Sequence, residues 1–184
     1  TDQRGDGSSV AISMSLRGMH NVLNVTGAVA MAVSCGIEMQ VAAEAVETFD
    51  GVGRRFQIIG EFNGATLIDD YAHLPREIEA VLAAAKFSDD GWKRIVAVFQ
   101  PNRYNRMAVM STEYGDSFMN ADLVVITDIY SSGTEKIEGV TGELVAHAVR
   151  ARHPAQQVLY FPSRDSLAEQ VSVVLQRGDV CISM

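Results

Sequence analysis

The sequence predicts an α/β fold: a mainly parallel sheet with helices on both faces, opened by a β-hairpin and preceded by a helical segment. Three observations carry this expectation. Short, near-continuous apolar runs alternate with amphipathic stretches through the second part of the chain, which is how strands buried on both faces by crossover helices read. The pair Asn63-Gly64 separates two strand-like runs and is a strong signal for a tight hairpin. Hydrophobic residues make up 47% of the 184 positions against 21% charged, the balance of a packed domain and not of disorder.

The elements follow in order. Residues 10–16 alternate apolar with small or polar side chains, as a half-buried strand does. Residues 21–35 are rich in Ala, Val and Met and close at Gly36, the pattern of a buried helix with a C-terminal glycine. A second short helix is expected over 39–49. Gly51-Val52-Gly53 is the best boundary in the chain, dividing a helical part, 1–52, from a β-rich part, 53–184. Beyond the hairpin, a helix starts at Pro75 with Ile78, Val81, Leu82 and Ala85 on one face. Strands at 94–100, 123–129, 157–161 and 179–183 then alternate with helices that run through Met119, over 142–152, and from an expected N-cap at Ser163 to a stop before Gly178.

Composition narrows the function classes. Fifteen Lys and Arg against 23 Asp and Glu give a net charge of -8, so no broad basic surface for nucleic acid or an anionic membrane is expected. Cys35 and Cys181 lack the paired spacing of a zinc or dithiol site and read as buried reduced thiols. Neither an 18-residue apolar run nor a signal peptide is legible, which points to the cytoplasm. A chain opening at Thr1 and stopping at Met184 inside a strand-like run reads as a piece of a longer protein.

In parallel sheets ligands sit beyond the carboxyl ends of the strands, so the informative loops are 69–75, 100–106 and 128–139. Arg103 and Arg106 follow a strand closely and make a candidate anion clamp; two solvated arginines are the alternative. Arginines in a first helical turn oppose the macrodipole, which favours the clamp. Asp69, Asp70 and His73 read as turn and capping residues, as weak metal ligands, or as carboxylates for ribose hydroxyls. His20, Asn21 and Asn24 cluster at a helix start, where amides suit the edge of a planar base, or where Asn21 is an N-cap. Arg54 and Arg55 are a further phosphate candidate or an exposed pair. No Gly-x-x-x-x-Gly-Lys-Ser/Thr loop exists, since the three lysines are Lys86, Lys93 and Lys136, and no dinucleotide or nucleophile-elbow motif is present.

The runs GMHNVLNVTGAVAMAV, FDGVGRRFQIIGE, LIDDYAHLPREIEAVL, VFQPNRY and DIYSSGTEKIEGV, in this order, resemble the Mur ligases, and within that family most closely the branch that joins L-alanine to UDP-N-acetylmuramate. The resemblance covers Gly18 to Met184. It implies the tail of a central ATPase domain joined to most of a Rossmann-like C-terminal domain, truncated at its end. It implies ATP and Mg2+ as cofactors, with the metal's ligands outside this chain, and amide formation through an acyl phosphate in peptidoglycan synthesis. His20, Asn21 and Asn24 would lie near adenine, Arg55 would reach the phosphates as the catalytic group, and Asp70 would bond the ribose. Tyr71, His73, Asn102, Arg103 and Arg106 would hold the amino acid. Leu74 and Asn102 stand where the family usually has histidines. Without the phosphate loop the chain alone is expected to be inactive. Three alternatives stay open: a ligase that recycles a tripeptide, a non-catalytic nucleotide or amino-acid binding module, and a metal hydrolase on Asp69, Asp70 and His73. An excised helical part is expected to expose its apolar side chains, to be loosely ordered, or to form a homodimer.

Overall fold

A computed structural model describes residues 9–184, and the chain divides into two compact units, Thr1–Gly53 and Arg54–Met184. The first holds two helices, α1 (Met19–Ser34) and α2 (Met39–Glu47). Gly36, at φ 91°, ends α1 in a Schellman arrangement: its N–H bonds the Val33 carbonyl at 3.0 Å and that of Ile37 bonds Ala32 at 3.1 Å. The core of this unit is small, with Val25, Val29 and Ala42 buried and Met14, Leu16 and Val46 partly so.

Three expectations for this unit are corrected. Residues 10–16 form no strand, because a strand exists through its ladder and the described residues of this unit hold no second strand to pair with. Helix α1 buries only Val25 and Val29, while Met19, Leu23 and Met31 are each more than 60% exposed. Exposed apolar side chains were expected here, and both helices are nonetheless formed. Cys35 is exposed, not buried; Cys181 is buried, and both are free thiols.

The second unit is a six-stranded sheet in the order β1-β2-β6-β3-β4-β5. Its strands are β1 (Gln57–Phe62), β2 (Ala65–Asp69), β3 (Arg94–Phe99), β4 (Leu123–Thr127), β5 (Gln157–Phe161) and β6 (Asp179–Ser183). Asn63 at φ 51° and Gly64 at φ 79° both take the left-handed conformation that closes a two-residue hairpin, so β1 pairs antiparallel with β2. All other pairs are parallel.

The order of the strands explains where the helices lie. From β2 to β3, β4 and β5 the chain advances in one direction, and right-handed crossovers put α3 (Pro75–Lys86), α4 (Tyr104–Met110) with the 3-10 turn Ser111–Asp116, and α5 (Glu143–Arg152) on one face. The step back from β5 to β6 puts α6 (Leu167–Val174) on the other. Alternation along each strand serves both layers. Ile95, Ala97, Phe99, Val124 and Ile126 pack with Ile78, Leu82 and Val149, while Val96, Val98, Val125 and Cys181 pack with Val171. The expected two-faced α/β sheet is the one observed. Some boundaries differ: the helix expected through Met119 is α-helical only to Met110 and ends as a 3-10 turn at Asp116, β4 stops at Thr127, and α6 starts after Ser166, since a turn from Arg164 to Leu167 precedes it and Ser163 caps nothing. Among the described residues no helix is long and apolar enough to cross a membrane.

Candidate functional site

Because β2, β6, β3 and β4 run parallel, the loops that follow β2, β3 and β4 leave the sheet at one edge. The first of these is fastened by Asp70, which is 2% exposed. Its Oδ2 accepts the Phe56 N–H and its Oδ1 the Ala72 N–H, both at 2.7 Å, and its own N–H bonds the Ser183 carbonyl at 2.9 Å. Tyr71 N–H also bonds the Arg54 carbonyl at 2.8 Å. Asp70 therefore ties residues 54–56 to the end of β2, and this differs from the expectation that its oxygens serve a ribose. Asp69 is engaged as well, by the Arg54 Nε at 2.9 Å.

This fastening gathers a cationic and aromatic group. The Arg54 and Arg55 guanidinium carbons lie 5.0 and 5.6 Å from the Tyr71 ring centre, within cation–π range. The Tyr71 and His73 rings meet edge to face at 5.3 Å. His73 Nδ1 lies 2.9 Å from the Tyr71 carbonyl, which can only accept, so Nδ1 carries a proton and Nε2 is the nitrogen left to face a ligand.

At the start of α3, Leu74 stands at the N-cap without a side-chain acceptor, and Pro75 follows at the first helical position. Glu77 supplies half of a capping box: its carboxylate accepts the N–H of His73 at 2.9 Å and of Leu74 at 3.0 Å. Partial burial pushes the Glu77 carboxyl up, but those two N–H bonds, with His73 and Arg55 nearby, reverse this and hold it below the usual glutamate range.

The loop after β3 is bound to the loop after β4. Asn102 and Tyr130 form a parallel bridge; Tyr130 N–H bonds the Pro101 carbonyl at 2.9 Å, and Arg103 N–H bonds the Tyr130 carbonyl at 2.8 Å. Thr134 accepts the Tyr104 N–H at 3.0 Å. Arg106 Nη1 donates to Asn102 Oδ1 at 2.6 Å. With Oδ1 engaged, the free side of the Asn102 amide is its NH2, so this pair presents donors only, the requirement for a carboxylate. Gly142 admits no side chain, because a Cβ there would lie 2.1 Å from the Thr127 carbonyl oxygen. Its N–H bonds Asp128 Oδ1 at 2.9 Å.

Arg55, Tyr71, His73, Asn102 and Arg106 thus belong to two interlocked loop systems of one sheet edge. Tyr114 connects the two: it stands on the 3-10 turn that continues α4, which carries Arg106, and its hydroxyl donates to the His73 carbonyl at 2.8 Å. Arg103 does not join them. It is exposed, takes φ 65° at the N-cap of α4, and its guanidinium makes no hydrogen bond or ion pair among the described residues. His20, Asn21 and Asn24 lie on α1 in the other unit. There Gly18 occupies the N-cap, and the Asn21 amide reaches back to the Arg17 carbonyl at 2.7 Å.

Sequence reading missed two members of the site. Glu77 had a signal, an acid three positions past the residue before Pro75. Tyr114 had none. Among the described residues no three of His, Cys, Asp and Glu gather as metal ligands, and Asp69 and Asp70 are committed elsewhere. The metal-hydrolase alternative loses its donor set, and these residues do not fit a magnesium site either.

Residues 54–184 match the family model described as Mur ligase, glutamate ligase domain. The chain is 41% identical over 175 residues to a UDP-N-acetylmuramate--L-alanine ligase of Geobacter sulfurreducens, covering 94% of this chain and 37% of the relative. It is 43% identical over 173 residues to the ligase of the same name from Microcystis aeruginosa, covering 93% and 36%. Among solved structures, a UDP-N-acetylmuramate-alanine ligase from Thermotoga maritima superposes with a TM-score of 0.74 at 28% identity, over 95% of this chain and 36% of that one. A murein peptide ligase from Psychrobacter arcticus gives 0.67 at 25%, over 94% and 35%. The chain thus spans little more than a third of the relatives it matches.

Proposed function

Because the chain belongs to the Mur ligase family, we propose that the protein carrying it joins L-alanine to UDP-N-acetylmuramate at the expense of ATP, in the cytoplasm, for peptidoglycan synthesis. The observation that carries this reading is the Arg106–Asn102 pair, held at 2.6 Å as an all-donor face at the sheet edge that also bears His73. A small amino acid brings one carboxylate to such a face and leaves its amine free to react.

In this reading the amine attacks the carbonyl of an acyl phosphate, and the chain's groups serve orientation more than acid or base chemistry. Arg106 and Asn102 hold the carboxylate. His73 Nε2, free to accept because Nδ1 faces the Tyr71 carbonyl, takes a hydrogen bond from the amine. Arg55 and Arg54, on the Tyr71 ring, supply positive charge for ATP phosphates and are the catalytic candidates of this unit. His20, Asn21 and Asn24 are assigned to adenine. Arg103, exposed on the rim of the same loop, is assigned to steering the amino acid. Asp70 is assigned to holding the Arg54–Arg55 turn, not to ribose. The magnesium that accompanies ATP finds no donor set among the described residues, so its ligands are assigned to the rest of the protein.

The test is phosphate release by the full-length protein given ATP, magnesium and UDP-N-acetylmuramate, with either L-alanine or the recycled tripeptide as acceptor. Release that depends on L-alanine supports the reading; release with the tripeptide alone moves the protein to the recycling branch, and no release with either acceptor supports the binding module.

A further inference from the structure

Of the groups at the sheet edge, His73 is the one whose use depends on where a proton sits. Its Nδ1 lies 2.9 Å from the Tyr71 carbonyl oxygen and 3.5 Å from Oε2 of Glu77. The first is a hydrogen bond and the second a longer charge contact. Both neighbours are acceptors only, because the Glu77 carboxyl is held below the usual glutamate range and is ionised throughout the neutral range. In a neutral ring, a proton on Nε2 would turn the Nδ1 lone pair against a carbonyl and a carboxylate at once. A proton on Nδ1 meets both favourably and leaves Nε2 as an acceptor.

The carboxylate is itself fixed in place. The same Oε2 accepts the backbone N–H of His73 at 2.9 Å and of Leu74 at 3.0 Å. Glu77 stands in the first turn of α3, and the next residue, Ile78, is fully buried, so the helix that carries the acid is anchored in the core. The Tyr71 ring confines the imidazole on another side, edge to face at 5.3 Å. The His73 carbonyl is taken by the Tyr114 hydroxyl at 2.8 Å, so the backbone of this turn does not rest on Glu77 alone. What Glu77 adds to the turn is a negative charge beside Nδ1.

We propose that Glu77 is the positioning residue of His73, its carboxylate keeping the ring proton on Nδ1 so that Nε2 accepts from the amine of the incoming amino acid. This deepens the ligase reading and rests on it for the identity of the ligand. Glu77 touches no substrate; it acts through the His73 ring, as a third group orients a base.

The test is Glu77→Gln, which keeps an oxygen for the two backbone N–H groups and removes only the charge. In 15N spectra of the 184-residue chain, at a pH that keeps the ring neutral, wild-type His73 should show a protonated Nδ1 and a bare Nε2, and Glu77→Gln should move both nitrogens toward each other. His73→Gln identifies these signals among the four histidines. In the full-length protein, kcat with L-alanine is expected to fall about tenfold in Glu77→Gln, while the KM for UDP-N-acetylmuramate stays within twofold. Glu79→Gln, the same charge change at an exposed position two residues on, is the control and should leave kcat unchanged. Stationary ring nitrogens in a folded Glu77→Gln overturn the proposal, and so does an unaltered kcat. A raised KM for ATP with stationary nitrogens shows the carboxylate serving Arg55 instead and overturns it as well. Should the variant not fold, the wild-type spectrum decides: a proton on Nε2 overturns the proposal and a proton on Nδ1 supports it. A wild-type protein that fails to add L-alanine while Glu77→Gln moves both nitrogens sinks the ligase reading and supports the role of Glu77.

Discussion

The two units hold their candidate residues by different means. In Arg54–Met184 each loop at the sheet edge is bonded to a neighbouring segment through its backbone: 70–72 to 54–56 and β6, 101–103 to Tyr130, and 142 to Asp128. In Thr1–Gly53 the three candidates ride on a helix whose unit buries few apolar side chains among the described residues, and among those residues only Asn21 of the three has a side-chain bond, to its own chain four residues back. The difference teaches that the second unit organises its site by itself, whereas the first merely displays side chains on a preformed helix. Substitutions should therefore be costly for the fold at the sheet edge and nearly silent for it on α1.

The largest effect is expected from Gly142→Ala. The added Cβ meets the Thr127 backbone, which has no flexible end to move aside, and the loss should be about 3 kcal/mol by urea unfolding. Next comes Asp70→Asn, where one of two buried N–H groups loses its charged acceptor; about 2 kcal/mol is expected. A smaller cost would mean that the 54–56 turn is held by other contacts.

Alkaline pH gives a third probe. Burial raises both the Tyr114 phenol, from 10.0, and the Cys181 thiol, from 9.0, to about 12. Folded-state values above the unfolded ones mean that their contribution is complete below about pH 9 and is lost as pH rises toward 12. The urea midpoint should fall across that window, and less steeply in Tyr114→Phe. The smallest effect is expected on α1: Asn24→Ala, at an exposed position, should change stability by no more than about 0.5 kcal/mol. If it also leaves the KM for ATP unchanged in the full-length protein, its adenine assignment falls.

Much of the second unit was legible because its signals are local. Asn63-Gly64 dictates its own turn, and continuous apolar runs such as 95–99 leave no solvent face for a strand. Residues 10–16 misled for the converse reason: alternation describes one side of a ladder and says nothing about whether a partner exists. At the site, Arg106 was visible from its place after a strand, and Asn102 only through the family resemblance. The commitment of Asp70 to two backbone N–H groups was not, since Phe56 lies 14 residues away in sequence. Tyr114 was hidden more completely, 41 positions from the carbonyl it binds and inside a segment that reads as a plain amphipathic helix.

The most direct measurement is the KM for L-alanine of Arg106→Lys in the full-length protein, since lysine keeps the charge but not the planar fork that Asn102 holds in place. A rise of at least about tenfold, with ATP and UDP-N-acetylmuramate constants unmoved, is the predicted result. An alanine KM indistinguishable from wild type would contradict the account.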